Sequence, residues 1–410
     1  MRSLISFGRR SLATLPLLLL LAGCQQLPPP EINILTSEPI LFVYAEYFNA
    51  HNNSLHVNVR YDDDPIKFLN SPGEAPDIII QPDPAGTFQT GLFHRIPVTQ
   101  DRNTYPQLIN QFKYFSKETM LPLAFSLPAI VWHGDRPGND LPLTIGLKQL
   151  GELHTGEEIG GQFRYLGFSP TWNKAMPLWY LHASGLQMAF TREGVPAWDS
   201  KQLETAAMQL RDWSSEHIGE PGLLQKFDET YLYAPYYALL REDRIGYYPV
   251  NLGTHLALPP YLRRELDFAW FGSNGRVPVI SILYAAIPKQ SKHRKLAAEF
   301  LQWLIHPENQ QQLMEFTISQ ELEIFGFFGR LSSSININEQ IIPRMHPELT
   351  GKAPVASRLI FPPPLPHYWR ELEQDVIAPF LQDVILQKVN PDNSNLESRI
   401  KLWLSQQESG

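Results

Sequence analysis

The sequence carries few residues in the spacings that catalysis requires. It contains no His-Glu-x-x-His zinc motif, no Gly-x-Ser-x-Gly nucleophile elbow, no Walker loop and no glycine-rich dinucleotide fingerprint. Its 12 histidines fall singly, and lone histidines are more often structural or exposed than metal ligands. We therefore expect a protein that is not an enzyme and has no cofactor and no metal site. A glycan hydrolase stays open as an alternative, since two carboxylates distant in sequence can meet in a cleft.

The charged residues point away from two further classes of partner. Asp62, Asp63 and Asp64 suggest calcium, but they lack the interleaved glycine and terminal glutamate of a calcium loop, so the run favours a solvated turn. The net charge is −8, with acids and bases interspersed along the chain. Nothing in this pattern suggests nucleic-acid binding.

The amino terminus has the pattern of an export signal. Residues 1–23 combine three arginines and no acid with a short leucine run, too short and wrongly flanked for a spanning helix. The next residue, Cys24, follows Leu-Ala-Gly and is similar to a bacterial lipobox, which implies cleavage before Cys24 and attachment of acyl chains such as palmitate. Residues 24–30, ending in three prolines, would form a lipid-anchored tether. The alternative is a chance cysteine after an ordinary signal peptide.

The exported chain must fold on its core alone. Cys24 is the only cysteine, so no disulfide can form within the chain. The part that follows the predicted cleavage point is longer than one hydrophobic core normally supports. We expect two globular lobes, held in the cell envelope by lipid on the periplasmic side or the cell surface.

One stretch, Ala285 to Phe316, has the periodicity of a strand followed by two helices. Ser281 to Ile287 is predicted as the strand, and Pro307 at a first helical position begins the second helix. Between them, apolar residues recur at helical spacing and predict one wide inward stripe. The inward residues are expected to be Leu296, Ala297, Phe300, Leu301, Leu304 and Ile305.

A second stretch, Ala75-Pro76-Asp77-Ile78-Ile79-Ile80, is predicted as a buried strand entered through a turn, and Gln89-Thr90-Gly91-Leu92 follows after a polar loop. Together with the strand, basic loop, helix and Pro-Glu restart of residues 285–316, this pattern resembles the extracellular solute-binding proteins, the maltose-binding-like receptors of ABC importers. One departure is that sugar receptors of this family often carry an aromatic residue near Gln81, and this chain does not.

The resemblance implies an α/β fold of the type II periplasmic-binding-protein class. This is a two-lobed, Venus-flytrap arrangement with mixed sheets flanked by helices and three hinge crossings. Lobe one would comprise residues 31–122 and 283–330, and lobe two residues 123–282 and 331–405, with the carboxyl-terminal helices near the hinge. The crossings are expected at Met120–Trp132, Val277–Ala286 and Phe325–Ser334.

The resemblance also implies ligand contacts in several short stretches. Ser169, Thr171 and Trp172 lie where a strand ends at a turn, and Trp369 begins a late helix. An indole face suits a sugar ring, but packing in the core is the alternative for both tryptophans. Ser37 can instead cap the helix that follows it. The expected ligand-binding residues are Ser37, Glu38, Gln81, Asp83, Ser126, Ser169, Thr171, Trp172, Tyr236, Tyr248, Asn251 and Trp369.

The resemblance implies a receptor that closes on a solute and is then recognised by the permease subunits of an ABC importer. Aromatic residues in candidate cleft positions favour a neutral, hydroxyl-rich ligand such as an oligosaccharide. Glu38 and Asp83 could instead hold a cationic group. Besides the lipid-anchored glycan hydrolase, a binding-fold envelope lipoprotein that acts as a scaffold or sensor is a further alternative.

Overall fold

The structure is a computed structural model that describes residues 28–70, 75–82, 91–97, 103–108, 119–134, 141–191, 196–363, 365–366, 368–390 and 395–407. The described strands are β1 (Glu31–Thr36), β2 (His56–Tyr61), β3 (Ile78–Pro82), β4 (Met120–Ser126), β5 (Pro128–His133), β6 (Thr144–Ile145), β7 (Gly156–Ile159), β8 (Gln162–Leu166), β9 (Tyr247–Asn251), β10 (Leu266–Phe271), β11 (Val277–Pro278), β12 (Ser281–Ala286), β13 (Leu331–Ser332) and β14 (Leu359–Ile360).

Helices cover much of the remaining described chain. They are α1 (Leu41–His51), α2 (Leu147–Leu153), α3 (Met176–Ala183), α4 (Ser200–His217), α5 (Pro221–Tyr231), α6 (Tyr236–Arg241), α7 (Leu252–Leu256), α8 (Pro260–Arg263), α9 (Arg294–Ile305), α10 (Pro307–Ser319), α11 (Ile342–Met345), α12 (Trp369–Leu372), α13 (Ala378–Ile385) and α14 (Asn395–Gln407). Two π-helical turns, Ile337–Ile341 and Glu373–Ile377, precede α11 and α13.

Six strands form a mixed sheet in the order β13-β4-β12-β3-β1-β2. Strand β1 runs parallel to β2 and β3, whereas β12 runs antiparallel to β3 and β4. The three isoleucines that begin β3 are all buried, which suits a β-branched run inside a sheet covered on both faces. In the β1–β3 pair Thr36 lies opposite Ile80, so the carboxyl ends of these strands lie side by side.

A second mixed sheet has the order β6-β10-β5-β9. Leu127 alone separates β4 of the large sheet from β5 of the small one. The chain returns to the large sheet after β10, through β11, which pairs with β14. Near Lys352 the chain contacts β10 of the small sheet again. Trp270 Nε1 donates to the Lys352 carbonyl at 2.8 Å, and Lys352 Nζ lies 2.5 Å from Asp267 Oδ1.

Strands β4, β12 and β13 belong to one sheet. Strand β4 pairs with β12 along its length, and β13 pairs with β4. Two of the lobe boundaries expected from sequence, after residues 122 and 282, therefore fall inside β4 and β12, and the third falls just before β13. The division of the chain into lobes at these positions stays a prediction.

The helix pair after β12 follows the predicted periodicity. Ala297, Phe300, Leu301 and Leu304 of α9 are buried, and Pro307 begins α10 as expected. The buried Asp77 fixes the start of this unit, since its carboxylate accepts hydrogen bonds from Asn33 N at 3.0 Å and Ser291 Oγ at 2.7 Å. The acid therefore joins β1, β3 and the loop before α9.

None of the helices in the described residues is both long and apolar enough to cross a membrane. Within the same residues, no group of three or more histidines, cysteines and acids could hold a metal ion.

Candidate functional site

Polar side chains gather at the carboxyl ends of β1 and β3, where open α/β sheets commonly bind ligands. Ser37 directly follows β1, and its backbone N–H donates to the Ile80 carbonyl at 3.3 Å. Gln81 follows Ile80 in β3 and is buried. We call Ser37, Glu38, Gln81 and Arg330 the strand-end cluster.

The charge of Glu38 is matched by Arg330. Arg330 donates from Nη1 to Glu38 Oε2 at 2.8 Å and from Nη2 to Glu38 Oε1 at 2.9 Å, the forked geometry that favours arginine over lysine. The two side chains are only 12% and 16% exposed. Because the positive charge of Arg330 and the negative charge of Glu38 cancel, the pair presents little net charge to a ligand.

An aromatic loop holds Arg330 over Glu38. Phe327 and Phe328 pack on Tyr44 of α1 at ring distances of 5.6 and 4.9 Å, and the Phe328 N–H donates to the Tyr44 hydroxyl. Gly329 then has a φ of +71°, a conformation that favours glycine. This turn brings Arg330 Nη1 within 2.7 Å of the Phe328 carbonyl as well.

Three buried polar atoms of the strand-end cluster have no hydrogen-bond partner among the described residues. They are Ser37 Oγ, Gln81 Oε1 and Arg330 Nε. A buried polar group without a partner costs about 1–3 kcal/mol, so such atoms are uncommon in a folded protein. Together these atoms offer a hydroxyl, a hydrogen-bond acceptor and a hydrogen-bond donor, and this combination can bind a polar ligand.

A second group of aromatic rings lies beside the small sheet. The Trp172 ring stacks with Phe227 at 5.9 Å and with Tyr248 at 6.2 Å, and Tyr248 stacks with Tyr236 at 4.9 Å. We call these four residues the aromatic column. Phe227 and Trp172 are buried, whereas Tyr248 and Tyr236 are partly exposed. The tyrosine end of the column is therefore the end that a ligand could reach.

Hydrogen bonds fix the aromatic column. Trp172 Nε1 donates to Asp228 Oδ1 at 3.1 Å, and the Tyr248 hydroxyl donates to the Trp172 carbonyl at 3.1 Å. Burial raises the pKa of Asp228 to about 7, although the Trp172 hydrogen bond acts in the opposite direction. At the other end the Tyr236 hydroxyl is hydrogen-bonded to His255 Nδ1 at 2.9 Å, and burial lowers the pKa of His255 to about 4. The histidine is therefore neutral near pH 7.

The remaining polar candidates have structural partners. Ser169 is buried, with its Oγ 2.8 Å from Thr171 Oγ1. Asn251 caps α7 by accepting from the Gly253 N–H at 3.0 Å. Ser126 ends β4, next to Leu127, which connects the two sheets. The Ser126 carbonyl accepts a hydrogen bond from the Ile280 N–H at 3.0 Å. Trp369 is buried and packs on Phe190 at 5.8 Å.

Solved structures match nearly the whole chain at low sequence identity. A structure with mannobiose bound matches 90% of this chain and 99% of its own, at 13% identity and a TM-score of 0.64. An ABC substrate-binding protein from Listeria monocytogenes, in complex with cycloalternan, matches 92% and 99% at 14% identity and a TM-score of 0.62. The cyclic α-maltosyl-1,6-maltose binding protein from Arthrobacter globiformis matches 91% and 98% at 12% identity and a TM-score of 0.63.

The chain has the two-lobed fold of ABC-transporter solute-binding proteins. No family model matches the sequence, and no curated protein matches it. The fold expected from the residues around Asp77 and Phe300 is thus confirmed by the comparison with solved structures, although comparison of sequences alone gives no match.

Within this solute-binding fold, the expected site residues that the structure describes fall into four places, one of which is Ser126 at the end of β4. Ser37, Glu38 and Gln81 meet in the strand-end cluster. Trp172, Tyr236 and Tyr248 meet in the aromatic column, with Ser169, Thr171 and Asn251 in neighbouring turns. Trp369 lies with Phe190 instead. Asp83 and Cys24 are outside the described residues. For each of these residues a ligand-binding role stays a prediction.

One detail differs from the sequence-based expectations. Ser37 does not cap the following helix, because α1 begins only at Leu41 and has no side-chain cap; the nearby Glu38 N–H is bound by Thr36 Oγ1 instead. Trp172 and Trp369 are both buried, with 7% and 6% of their surfaces exposed, and a ligand-binding role for each stays a prediction.

Three important residues were not anticipated: Arg330, Phe227 and Asp228. For Asp228 a signal existed, since an acid next to Phe227 on the apolar face of α5 needs a partner. Arg330 follows a glycine- and phenylalanine-rich loop, but its partner lies 292 positions away.

Proposed function

We propose that this protein is a lipid-anchored receptor that binds a neutral carbohydrate between its two lobes and delivers it to an ABC importer. The observation that carries the ligand class is the forked Arg330–Glu38 pair. A cationic ligand would need a free carboxylate, and the carboxylate of Glu38 is already matched by a guanidinium. Charge compensation favours the neutral ligand over the cationic one.

The open atoms of the strand-end cluster suit hydroxyl groups. A sugar hydroxyl both donates and accepts, so it can donate to Gln81 Oε1, accept from Arg330 Nε and do either with Ser37 Oγ. A site of this kind rejects analogues that lack the hydroxyl, since its buried polar atoms would then stay unpaired. This supports a polyhydroxylated solute.

The tyrosine end of the aromatic column supplies the apolar half of such a site. Tyr236 and Tyr248 are partly exposed, and a tyrosine ring can stack on the C–H face of a sugar. Trp172 would act behind them by supporting Tyr248, with which it stacks at an interplanar angle of 11°. The proposed contact residues therefore shift from the tryptophan to the two tyrosines.

Structural neighbours support the same ligand class. Their solved structures hold mannobiose, cycloalternan and maltotetraose, all carbohydrates. In our proposal Leu127 and the segment between β10 and β12 connect the lobes, and a ligand that touches both lobes stabilises the closed state. Lipid at Cys24 would keep the receptor on the outer side of the membrane, near the importer permease.

A thermal-shift panel tests this proposal. The mature protein is heated with mannobiose, cycloalternan, maltotetraose, spermidine and single amino acids. We expect stabilisation by at least one neutral saccharide, because a ligand at a hundred times its Kd adds about 2.7 kcal/mol to the free energy of unfolding. Spermidine should have no effect.

Three outcomes would contradict the proposal in different ways. Stabilisation by spermidine alone would favour a cationic ligand. Conversion of a saccharide to products, followed by chromatography, would favour the glycan hydrolase. No stabilisation by any compound would favour an envelope scaffold or sensor.

A further inference from the structure

Five exposed cations lie on one face of the protein, around the loop between β12 and α9. They belong to two segments, residues 91–97 and 285–298, and neither segment contains an acid. A backbone hydrogen bond from the His94 N–H to the Ile287 carbonyl, at 2.8 Å, joins the two segments. We call the five cations the basic face: Arg95, Lys289, Lys292, Arg294 and Lys295.

Most of the charge on the basic face is unmatched. Lys289, Lys292 and Arg294 form no ion pair with any residue that the structure describes. Arg294 donates to the Arg95 carbonyl at 3.3 Å, which is a neutral acceptor. Lys295 lies 3.8 Å from Glu299, but these side chains are 91% and 55% exposed, so their attraction is weak. In a chain with a net charge of −8, this face is a locally positive surface.

The basic face lies where the chain enters the large sheet. The Asp77 carboxylate accepts hydrogen bonds from Asn33 N at 3.0 Å and from Ser291 Oγ at 2.7 Å. Asn33 is the third residue of β1, and Ser291 directly precedes Lys292. The cations of this loop therefore lie beside the amino-terminal end of β1, into which residues 24–30 lead.

The length of the tether allows this face to reach a bilayer. The seven residues 24–30 span at most about 25 Å when fully extended. The strand-end cluster lies at the opposite end of β1, about 20 Å away for a strand of six residues. Contact of the basic face with the bilayer would therefore turn the strand-end cluster away from the membrane surface.

We propose that the basic face binds the anionic phospholipid headgroups of the membrane that carries the Cys24 lipid. This proposal rests on the lipid anchor of the proposed function. Cations close to an anionic bilayer are attracted to it, and the attraction falls off within a Debye length, about 8 Å at physiological ionic strength. Exposed cations on long side chains suit a surface of many headgroups. The basic face thus adds a second membrane signal to the acyl chains and orients the receptor.

Vesicle sedimentation of the protein without lipid tests this contact. The chain from residue 24 carries Cys24→Ser, so no acyl chain is attached and only the protein surface can bind. Vesicles of phosphatidylglycerol and phosphatidylcholine in equal parts are compared with vesicles of phosphatidylcholine alone. We expect binding to the mixed vesicles only, strongest at about 0.01 M salt and lost at about 1 M salt. No binding to the mixed vesicles at low salt, or equal binding to both kinds, would overturn the proposal.

A double variant locates the contact. Lys289→Gln, Lys292→Gln removes two exposed charges, and binding to the mixed vesicles should weaken roughly thirtyfold, about fivefold for each charge. Lys201→Gln, Lys226→Gln is the matched control, because it changes the net charge equally at exposed positions on α4 and α5, and it should bind as wild type does. Equal weakening in both double variants would show that net charge alone governs binding and would overturn the proposal.

The anchor and the basic face are tested separately. Mass spectrometry of Cys24 in protein extracted from membranes shows whether acyl chains are attached, and an unmodified Cys24 would contradict the anchor of the proposed function. The sedimentation experiment uses protein without acyl chains and without a saccharide. Its result therefore decides the affinity of the basic face for anionic headgroups, whatever the thermal-shift panel shows.

Discussion

Arg330 and Glu38 form a forked ion pair that joins the loop before β13 to the turn after β1, across 292 positions of sequence. Both side chains are largely shielded from solvent. The pair has two consequences: it holds the Phe327–Phe328 loop against α1, and it cancels the one charge that the turn after β1 offers to a ligand.

Arg330→Gln leaves the Glu38 carboxylate shielded and unmatched. We expect the free energy of unfolding to fall by about 2–4 kcal/mol, near the range for breaking a buried pair. Urea unfolding measures the change. Arg264→Gln is the control, because that side chain is 73% exposed and 3.8 Å from Glu265, and it should change stability by less than about 0.5 kcal/mol. Equal losses of unfolding free energy in Arg330→Gln and Arg264→Gln would show that shielding of the Arg330–Glu38 pair from solvent does not contribute to stability.

Trp172→Ala should destabilise the protein rather than only weaken ligand binding. The indole packs between Phe227 and Tyr248 and donates to Asp228, so its loss opens a cavity and should cost about 3–5 kcal/mol in chemical unfolding. Tyr233→Ala removes a ring that is 86% exposed and should stay within about 0.5 kcal/mol of wild type. A stable Trp172→Ala variant would contradict the packing described here.

Asp228 should make stability depend on pH. Its pKa is raised to about 7 in the folded protein, so the folded state binds more protons than the unfolded state between about pH 4 and pH 7. The contribution of Asp228 to the free energy of unfolding therefore decreases as pH rises through this window. The decrease is at most about 4 kcal/mol, and it is smaller where solvent reaches the carboxyl group.

The comparison with Asp228→Asn isolates this group. Buried histidines with a pKa of about 4, such as His182 and His255, give the opposite trend, because their folded-state pKa is lowered and stability is lost as pH falls. Their effect cancels in the difference between wild type and variant. In urea titrations, the free energy of unfolding of Asp228→Asn should increase relative to that of wild type as pH rises from 4.5 to 7.5. A difference between the two proteins that does not change with pH would refute the raised pKa of Asp228.

Gly253→Ala should disturb the contact between α7 and the loop before β13. A Cβ at Gly253 would collide with the Gly329 carbonyl oxygen, so the two backbones must separate. We expect a loss of about 1–3 kcal/mol, the usual cost of overpacking. Gly222→Ala in α5 meets no atom within 4 Å and should be neutral or stabilising by about 0.5–1 kcal/mol. Thermal unfolding of the pair gives the test, and a neutral Gly253→Ala would rule out the close approach.

Local periodicity was sufficient to predict the elements around Phe300 and Ile79. The inward stripe of α9 repeats at helical spacing, and the isoleucine run of β3 is bounded by turn residues, so each element is specified within a dozen positions. The same elements carried the resemblance that led to the fold.

The chemistry of the candidate site depends on contacts that local sequence does not contain. The sequence around Trp172 is compatible with a position that faces a ligand and with a position in the core. Only the contacts of Trp172 with the rings of Phe227 and Tyr248 decide between these positions. The charge of Glu38 likewise depends on Arg330, whose approach requires the turn at Gly329 and the packing of Phe328 on Tyr44. Sequence reasoning therefore found the neighbourhood of the site but not its charge balance.

Small-angle X-ray scattering of the mature protein, with and without a saturating neutral di- to tetrasaccharide from the thermal-shift panel, tests closure around a solute most directly. The radius of gyration should decrease as one equivalent of the saccharide binds, and the saccharide should be recovered unchanged. A radius of gyration that stays the same at saturation, or a panel in which no neutral saccharide binds, would contradict a receptor that closes on carbohydrate.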